Sequence, residues 1–336
     1  MSTRPVRRGG LLLAAFLPLA ACSGAQNALP PAGALSRYAR HGSWMTPNLK
    51  GVALLYVTNN DGLVNVYDYP KHALVGILTS FTTPMGECID RSGNIYITDY
   101  QKKTIEEYAH GGSTAIHVIK EKYQPYGCAI DPKTGNLAVA NYGQTYGINT
   151  PDYEGDGNLA VYPHARGTPT YYGTSTQHFT TCSYDRYGDL LAAFQDGYSG
   201  YYETSFGYLR VHTKKLATIL LNGPQSNYEW GKVSAIAWDG NYWDVDDLLV
   251  YRYTINIKPQ LKDVITLSNA GDLGPIALYR STLKAKPTQI AGTTDVDLQS
   301  DNGYLTIWRY PSGGTPIYQT SSYLDTPYGV AVSPAS

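Results

Sequence analysis

The chain is poor in charge and poor in the residue types that most often carry chemistry. Charged residues are 16% of its 336 positions, the formal balance is only -1, and it holds 7 His, 4 Cys and 3 Met. No basic stripe is available to meet a phosphate backbone, so nucleic acid is not an expected partner. No G-x-S-x-G, H-E-x-x-H, Walker loop or C-x-x-C occurs, which leaves nucleophile-elbow, zincin, nucleotide-binding and thioredoxin-like readings without support. Long apolar runs are lacking as well: Leu11 to Ala21 is too short to span a bilayer permanently, and nothing after it is long and apolar enough to cross. What is abundant is Tyr, 31 residues, and Gly, 34 residues, a bias toward strands and tight turns over helix. The expected class is all-β.

The apolar run at the start belongs to a targeting segment. Arg4, Arg7 and Arg8 precede it, and it ends in Leu19-Ala20-Ala21-Cys22, which resembles a bacterial lipobox. On that reading residues 1–21 are a signal peptide and Cys22 becomes an acylated N-terminus, holding the protein to a membrane by its lipid without spanning it. An ordinary secretory signal is the alternative. Removing residues 1–21 takes away three arginines and no acids, moving the formal charge from -1 to -4. Residues 22–50, with Pro30-Pro31 and a small, polar start, have the composition of a tether. Ser23 is not the Asp that retains lipoproteins in an inner membrane. The expected location is therefore the bacterial cell envelope, at the outer membrane or another exported face.

From residue 51 to residue 336 one pattern recurs: an alternating strand, an aromatic or His, a short turn and a second strand. Six copies lie at 63–78, 104–119, 158–173, 208–221, 249–267 and 304–320, pivoting on Tyr69, Tyr108, Tyr162, His212, Tyr253 and Tyr310. Their spacing averages about 48 residues, which suits a four-stranded propeller blade. An inner strand precedes most hairpins, clearest in PMGECIDRSGNIYITDY at 84–100 and PYGCAIDPKTGNLAVANY at 125–142. Gly86 and Gly127 stand four residues before Asp90 and Asp131, where a backbone crowded near the ring axis leaves no room for Cβ. The first hairpin lacks an inner strand of its own, while PYGVAVSP at 327–334 has no hairpin after it. Each end supplies what the other lacks, so the C-terminal strand is expected to complete the first blade and close a six-bladed β-propeller.

These repeats resemble the NHL-repeat propellers and the wider group around gluconolactonases and streptogramin lyases. The resemblance covers residues 51–336, is strongest in the second and third blades, and implies the fold more than an activity. It also implies an alternative function, a metal-dependent lactonase-like or lyase-like enzyme, whose group sets Glu, Asn and Asp, or a His with acids, over the channel. Neither set maps cleanly here, so no catalytic residue, metal or cofactor is assigned. Asp90, Asp131, Asp185 and Asp239 belong to the repeat and are expected to form turns. His178 sits just before an inner strand, with a structural role expected. Asp244, Asp246 and Asp247 have the look of a cation site, but lack the glycine and carbonyl pattern of a calcium loop and are read as a charged loop.

Aromatic loops stand out instead. The second-to-third-strand connections 141–157 and 195–207 are long and rich in Tyr, and links between blades add Tyr123, Tyr126, Phe179, Tyr228, Trp230, Tyr323 and Tyr328. Tyr126, Tyr146, Tyr153, Tyr201, Trp230 and Tyr328 are the expected ligand contacts of one rim, suited to a glycan or a protein. The leading reading is thus an envelope-anchored binding propeller. The three remaining cysteines are placed by register. Cys88 is two residues before its repeat Asp, whereas Cys128 and Cys182 are three before theirs, so Cys88 faces one neighbouring blade and the other two face the opposite way. Cys128 and Cys182 should not meet. Either Cys88 and Cys128 join, or all three remain buried thiols.

Overall fold

The computed structural model describes residues 42–69, 71–143, 157–173, 177–196, 203–210, 213, 215–219, 221, 233, 235–246, 249–254, 258–281, 285–295 and 303–335. They form six antiparallel sheets arranged as the blades of a ring. Blade 1 runs outward from the C-terminal strand Pro327–Ser333 through Ala53–Asn59, Val64–Tyr69 and Ala73–Leu78. Blades 2 to 6 begin with inner strands Pro84–Ile89, Pro125–Ile130, Gln177–Tyr184, Ile236–Trp238 and Asp272–Tyr279, each followed outward by its next three strands in chain order. No α-helix occurs among the described residues; a 3-10 turn at Pro163–Ala165 is the hairpin turn of blade 3.

Strand alternation explains how the blades pack. A strand inside a blade is covered on both faces, so its two sets of side chains enter two different cores. Leu54 and Tyr56 join the core between blades 1 and 2, while Leu55 and Val57 join the core between blades 6 and 1. Among the described residues six apolar clusters result, one in each seam.

The repeat Asp residues close the first turn of their blades by accepting backbone hydrogen bonds. Asp90 Oδ1 accepts from Ser92 N at 2.8 Å and Asn94 N at 2.9 Å, and Asp185 Oδ1 accepts from Tyr187 N at 2.7 Å and Asp189 N at 3.0 Å. Asp131 and Asp239 do the same with Lys133 N and with Asn241 N and Tyr242 N. Near the axis, a Cβ on Gly86 would stand 2.5 Å from the Tyr126 carbonyl oxygen, and one on Gly127 would stand 2.6 Å from that of Thr180. Glycine there lets consecutive inner strands approach, and threonine hydroxyls fasten them. Thr58 Oγ1 donates to Met85 O at 2.6 Å, Thr98 Oγ1 to Tyr126 O at 2.8 Å and Thr180 Oγ1 to Val233 O at 3.0 Å, each crossing to the next blade.

Two details depart from the sequence reading. Residues 44–50 are not tether: Trp44–Met45 adds a fifth, outermost strand to blade 1, pairing with Ile77 and Gly76, and Leu49 is buried in the seam with blade 2. This short strand covers an edge that would otherwise be open. His178 lies inside an inner strand, because pairing in blade 4 starts at Gln177 opposite Asp196.

Candidate functional site

The inner strands surround a central channel, and its mouth lies at the end where those strands begin. A cavity of about 80 Å³ opens there, lined by residues that include Met85, Glu87, Tyr126, Thr181 and Tyr328 together with the axial glycines. Tyr126 and Tyr328 occupy matching positions, each directly before an axial glycine, and both are half-buried. Tyr126 continues into an arc of rings spanning blades 2 to 4. Tyr100 meets its edge at 6.5 Å between centroids, Tyr142 lies 5.5 Å away, and His178 lies 4.7 Å beyond Tyr142. Hydroxyls tie down two rings of the arc and Tyr328: Tyr100 donates to Gly143 O, Tyr142 to Gln195 Oε1 and Tyr328 to Asn60 Oδ1, each at 3.4 Å.

Tyr126 and Tyr328 are therefore brought together at the mouth. Tyr146, Tyr153, Tyr201 and Trp230 lie outside the described residues, as does Cys22. Phe179 and Tyr323, grouped with the rim by sequence, are instead fully or nearly fully buried, Phe179 in the seam between blades 3 and 4. Tyr123 is half-buried against Tyr171 with Lys122 over its ring. His178 is also enclosed, its Nδ1 bonded to Tyr142 O at 2.6 Å; burial holds its pKa below the ordinary value, against the opposing pull of that carbonyl.

Glu87 escaped the sequence reading. It stands three residues before Asp90, the position where Cys128, Cys182 and Ile236 precede their own repeat Asp. A charged residue at an apolar repeat position was the available signal. Glu87 lines the cavity, and both carboxyl oxygens are enclosed without a well-formed hydrogen bond, the N–H and hydroxyl of Thr58 being the donors beside them. Gly329 makes the room: a Cβ there would collide with Glu87 Oε2 and Met85 O. Burial pushes the Glu87 carboxyl well above the carboxylate range, and the neighbouring Thr58 offsets only part of that cost. Among the described residues lining the cavity Glu87 is the one carboxylate, whereas a metal-dependent channel site calls for several. No group of three or more potential metal ligands assembles among the described residues.

The cysteines settle beside the same channel. Cys88 and Cys128 are joined, with Cα atoms 5.6 Å apart across the seam of blades 2 and 3, and Cys182 is a buried free thiol. The close approach of Gly86 to Gly127, one and two residues away along these strands, places the two Cα atoms within bridging range.

A second ionisable cluster occupies the opposite end of the ring, between blades 5 and 6. Asp244 is fully buried within the strand Tyr242–Asp246, which corrects its reading as part of a charged loop. Its neighbours explain the burial. Arg252 Nε reaches Asp244 Oδ1 at 3.2 Å, Arg252 Nη2 reaches Asp239 Oδ2 at 2.6 Å, and Arg252 Nη1 reaches Asp263 at 3.0 Å. The guanidinium lies over the rings of Tyr242 and Tyr310 at 4.8 and 5.4 Å. The side chain of Asp246, and Asp247 altogether, lie outside the described residues.

No protein-family model matches the chain, and no curated protein sequence matches it. Solved structures do resemble it in fold. The β-propeller domain of Myceliophteria thermophila Cps50 (Swd1) is 12% identical with a TM-score of 0.51, covering 85% of this chain and 86% of that one. Kuenenia stuttgartiensis hydrazine synthase is 13% identical with a TM-score of 0.57 over 87% and 88% of the two chains. TolB from Acinetobacter baumannii is 12% identical with a TM-score of 0.55 over 86% of this chain and 68% of that one. At such identities the likeness is one of fold.

Proposed function

We propose that this chain is a lipid-anchored binding propeller of the bacterial cell envelope, related to the NHL-repeat group, that captures a glycan or protein ligand at the tyrosine-lined mouth of its channel. The observation that carries this reading is the arc Tyr100, Tyr126, Tyr142 and His178 beside the cavity that Tyr126 and Tyr328 line. Tyrosines held by neighbouring rings, as Tyr126 is, or at their hydroxyls, as Tyr100, Tyr142 and Tyr328 are, offer large, rigid contact area at low entropic cost. The anchor rests on Leu19 to Cys22 and the basic residues before them.

The test uses the chain with Cys22→Ser, so that it stays soluble, screened on glycan and peptide arrays. A ligand captured there should bind about tenfold or more weakly to each of Tyr126→Ala and Tyr328→Ala. Unchanged capture by both variants would defeat the rim reading. Metabolic labelling with a fatty-acid analogue tests the anchor separately: wild type should incorporate label, and equal labelling of Cys22→Ser would refute acylation at that residue.

A further inference from the structure

An ionised carboxylate enclosed without a partner is among the most costly arrangements a protein can hold, so such a group is either neutralised by a proton or completed by a cation from outside. Glu87 is in this position. Neither oxygen has a well-formed hydrogen bond, the N–H and hydroxyl of Thr58 being the donors beside them, and no Lys, Arg or His is found among the described residues that line the cavity with it. The groups that face it are Thr58 from the second strand of blade 1 and Gly329 from its inner strand, neither of which carries charge. What lies open to Glu87 is the cavity, and at its mouth stand Tyr126 and Tyr328. Aromatic faces attract cations, and a carboxyl below them supplies the counter-charge.

Size narrows the class of cation. A cavity of 80 Å³ holds on the order of five water molecules. That matches the four-carbon stem and terminal nitrogen of a lysine side chain, whereas an amino sugar carries its nitrogen on a ring that would itself have to enter. We propose that the channel mouth seats a lysine side chain of a polypeptide ligand, with the ammonium on Glu87 and the stem between Tyr126 and Tyr328. This rests on the rim reading above and names the ligand class for the same site. Side-chain rotation carries the carboxyl from its niche against Gly329 into the cavity that Glu87 lines. The free protein holds Glu87 as the neutral acid, so binding exchanges a proton for the ammonium. The carboxyl proton leaves to solvent, the carboxylate pairs with the still-charged ammonium, and one proton is released per ligand.

The experiment is calorimetric titration of the Cys22→Ser chain at neutral pH with a blocked Ala-Lys-Ala peptide, repeated in buffers of different ionisation enthalpy. Saturable binding with about one proton released is expected, weakened about tenfold or more by acetylating the lysine nitrogen or by Glu87→Gln. Glu87→Gln keeps the shape of the neutral acid, and an unchanged melting temperature establishes that it folds. Equal binding of the lysine and acetyl-lysine peptides, or no proton release, overturns the inference. Preferential binding of glucosamine also overturns it and reassigns the seat to amino sugars. Should Tyr126→Ala abolish capture of an arrayed ligand while Glu87→Gln leaves it intact, the rim reading stands and the lysine seat falls. If neither variant alters capture, both fall.

Discussion

Tyr310 has one hydroxyl proton, yet its oxygen lies 2.8 Å from Asp239 Oδ2 and 2.7 Å from Asp244 Oδ2. Two carboxylates cannot both accept from it, so one of them must carry a proton and donate. Burial pushes Asp244 up to about 8, with Asp239 adding to the rise and Tyr310 and Arg252 opposing it. Asp239 goes the other way: its burial is outweighed by the Asn241 and Tyr242 N–H groups, Arg252 and Tyr310, and its pKa falls. The proton therefore sits on Asp244, which donates to Tyr310, which donates to Asp239. Because the folded-state pKa of Asp244 is raised, its contribution is fully present below the ordinary carboxylate range and is lost as pH climbs to about 8. Across that window the folded state binds more protons than the unfolded state. Stability should fall with a slope approaching about 1.4 kcal/mol per pH unit for each such group. Glu87, also raised, adds a slope of the same sign. Asp244→Asn reproduces the protonated acid, accepting from Arg252 and donating to Tyr310, so denaturant titrations between pH 4.5 and 7.5 should show the slope reduced by about one proton, and reduced further in the double variant with Glu87→Gln. Identical slopes in wild type and Asp244→Asn would show that no proton is held there.

At the level of strands, what was legible in the sequence was whatever the repeat imposes locally. Turn-forming Asp residues, axial glycines and the six hairpins each follow from a few adjacent positions, and all appear in the folded chain. The orphan strand at 327–334 was legible because each blade needs the same number of strands. What escaped depends on partners distant in sequence. Nothing near Asp244 announces Tyr310, and nothing near Glu87 announces that Gly329 makes room for it. Trp44–Met45 is too short to carry an alternating pattern, and its pairing with Ile77 and Gly76 becomes visible only once blade 1 exists. The inner strands of blades 2 and 3 carry an element-scale prediction. The Cys88–Cys128 link closes a loop with a sequence separation of 40 residues, which the chain-entropy model values at about 4 kcal/mol. Peptide mapping without reductant should find this pair with Cys182 free, and Cys88→Ala with Cys128→Ala should lower the melting temperature by about 5–10 °C. A bridge involving Cys182 would contradict the register that faces it toward blade 3, where burial holds its thiol well above the ordinary range.

A ring has no free edge to fray, and this one is closed by one strand. Pro327–Ser333 pairs with Ala53–Asn59 from Leu54 opposite Ser333 to Asn59 opposite Pro327, joining the two ends of the chain within one blade. Its side chains enter two cores at once: Val330 packs in the seam of blades 6 and 1, and Ala331 in the seam of blades 1 and 2. Ser333 extends the closure into blade 2, donating to Gly93 O at 2.8 Å and meeting His110 Nδ1 at 2.7 Å, while His110 Nε2 lies 3.0 Å from Val52 O. Removing the strand thus exposes the inner edge of blade 1 and opens the seams on both sides of it. Burial of Val330 and Ala331 alone is worth about 3 kcal/mol, before the lost ladder of backbone hydrogen bonds is counted. It also strips Tyr328 and Gly329 from the channel mouth, so the niche of Glu87 goes with it. A chain ending at Thr326 should therefore lose cooperative thermal unfolding throughout the ring, read by near-ultraviolet circular dichroism and by hydrogen exchange in blades 3 and 4 far from the cut. A chain in which only blade 1 gained exchange, while the remaining blades melted at the full-length temperature, would mean that five blades stand alone and that the closing strand is dispensable to them.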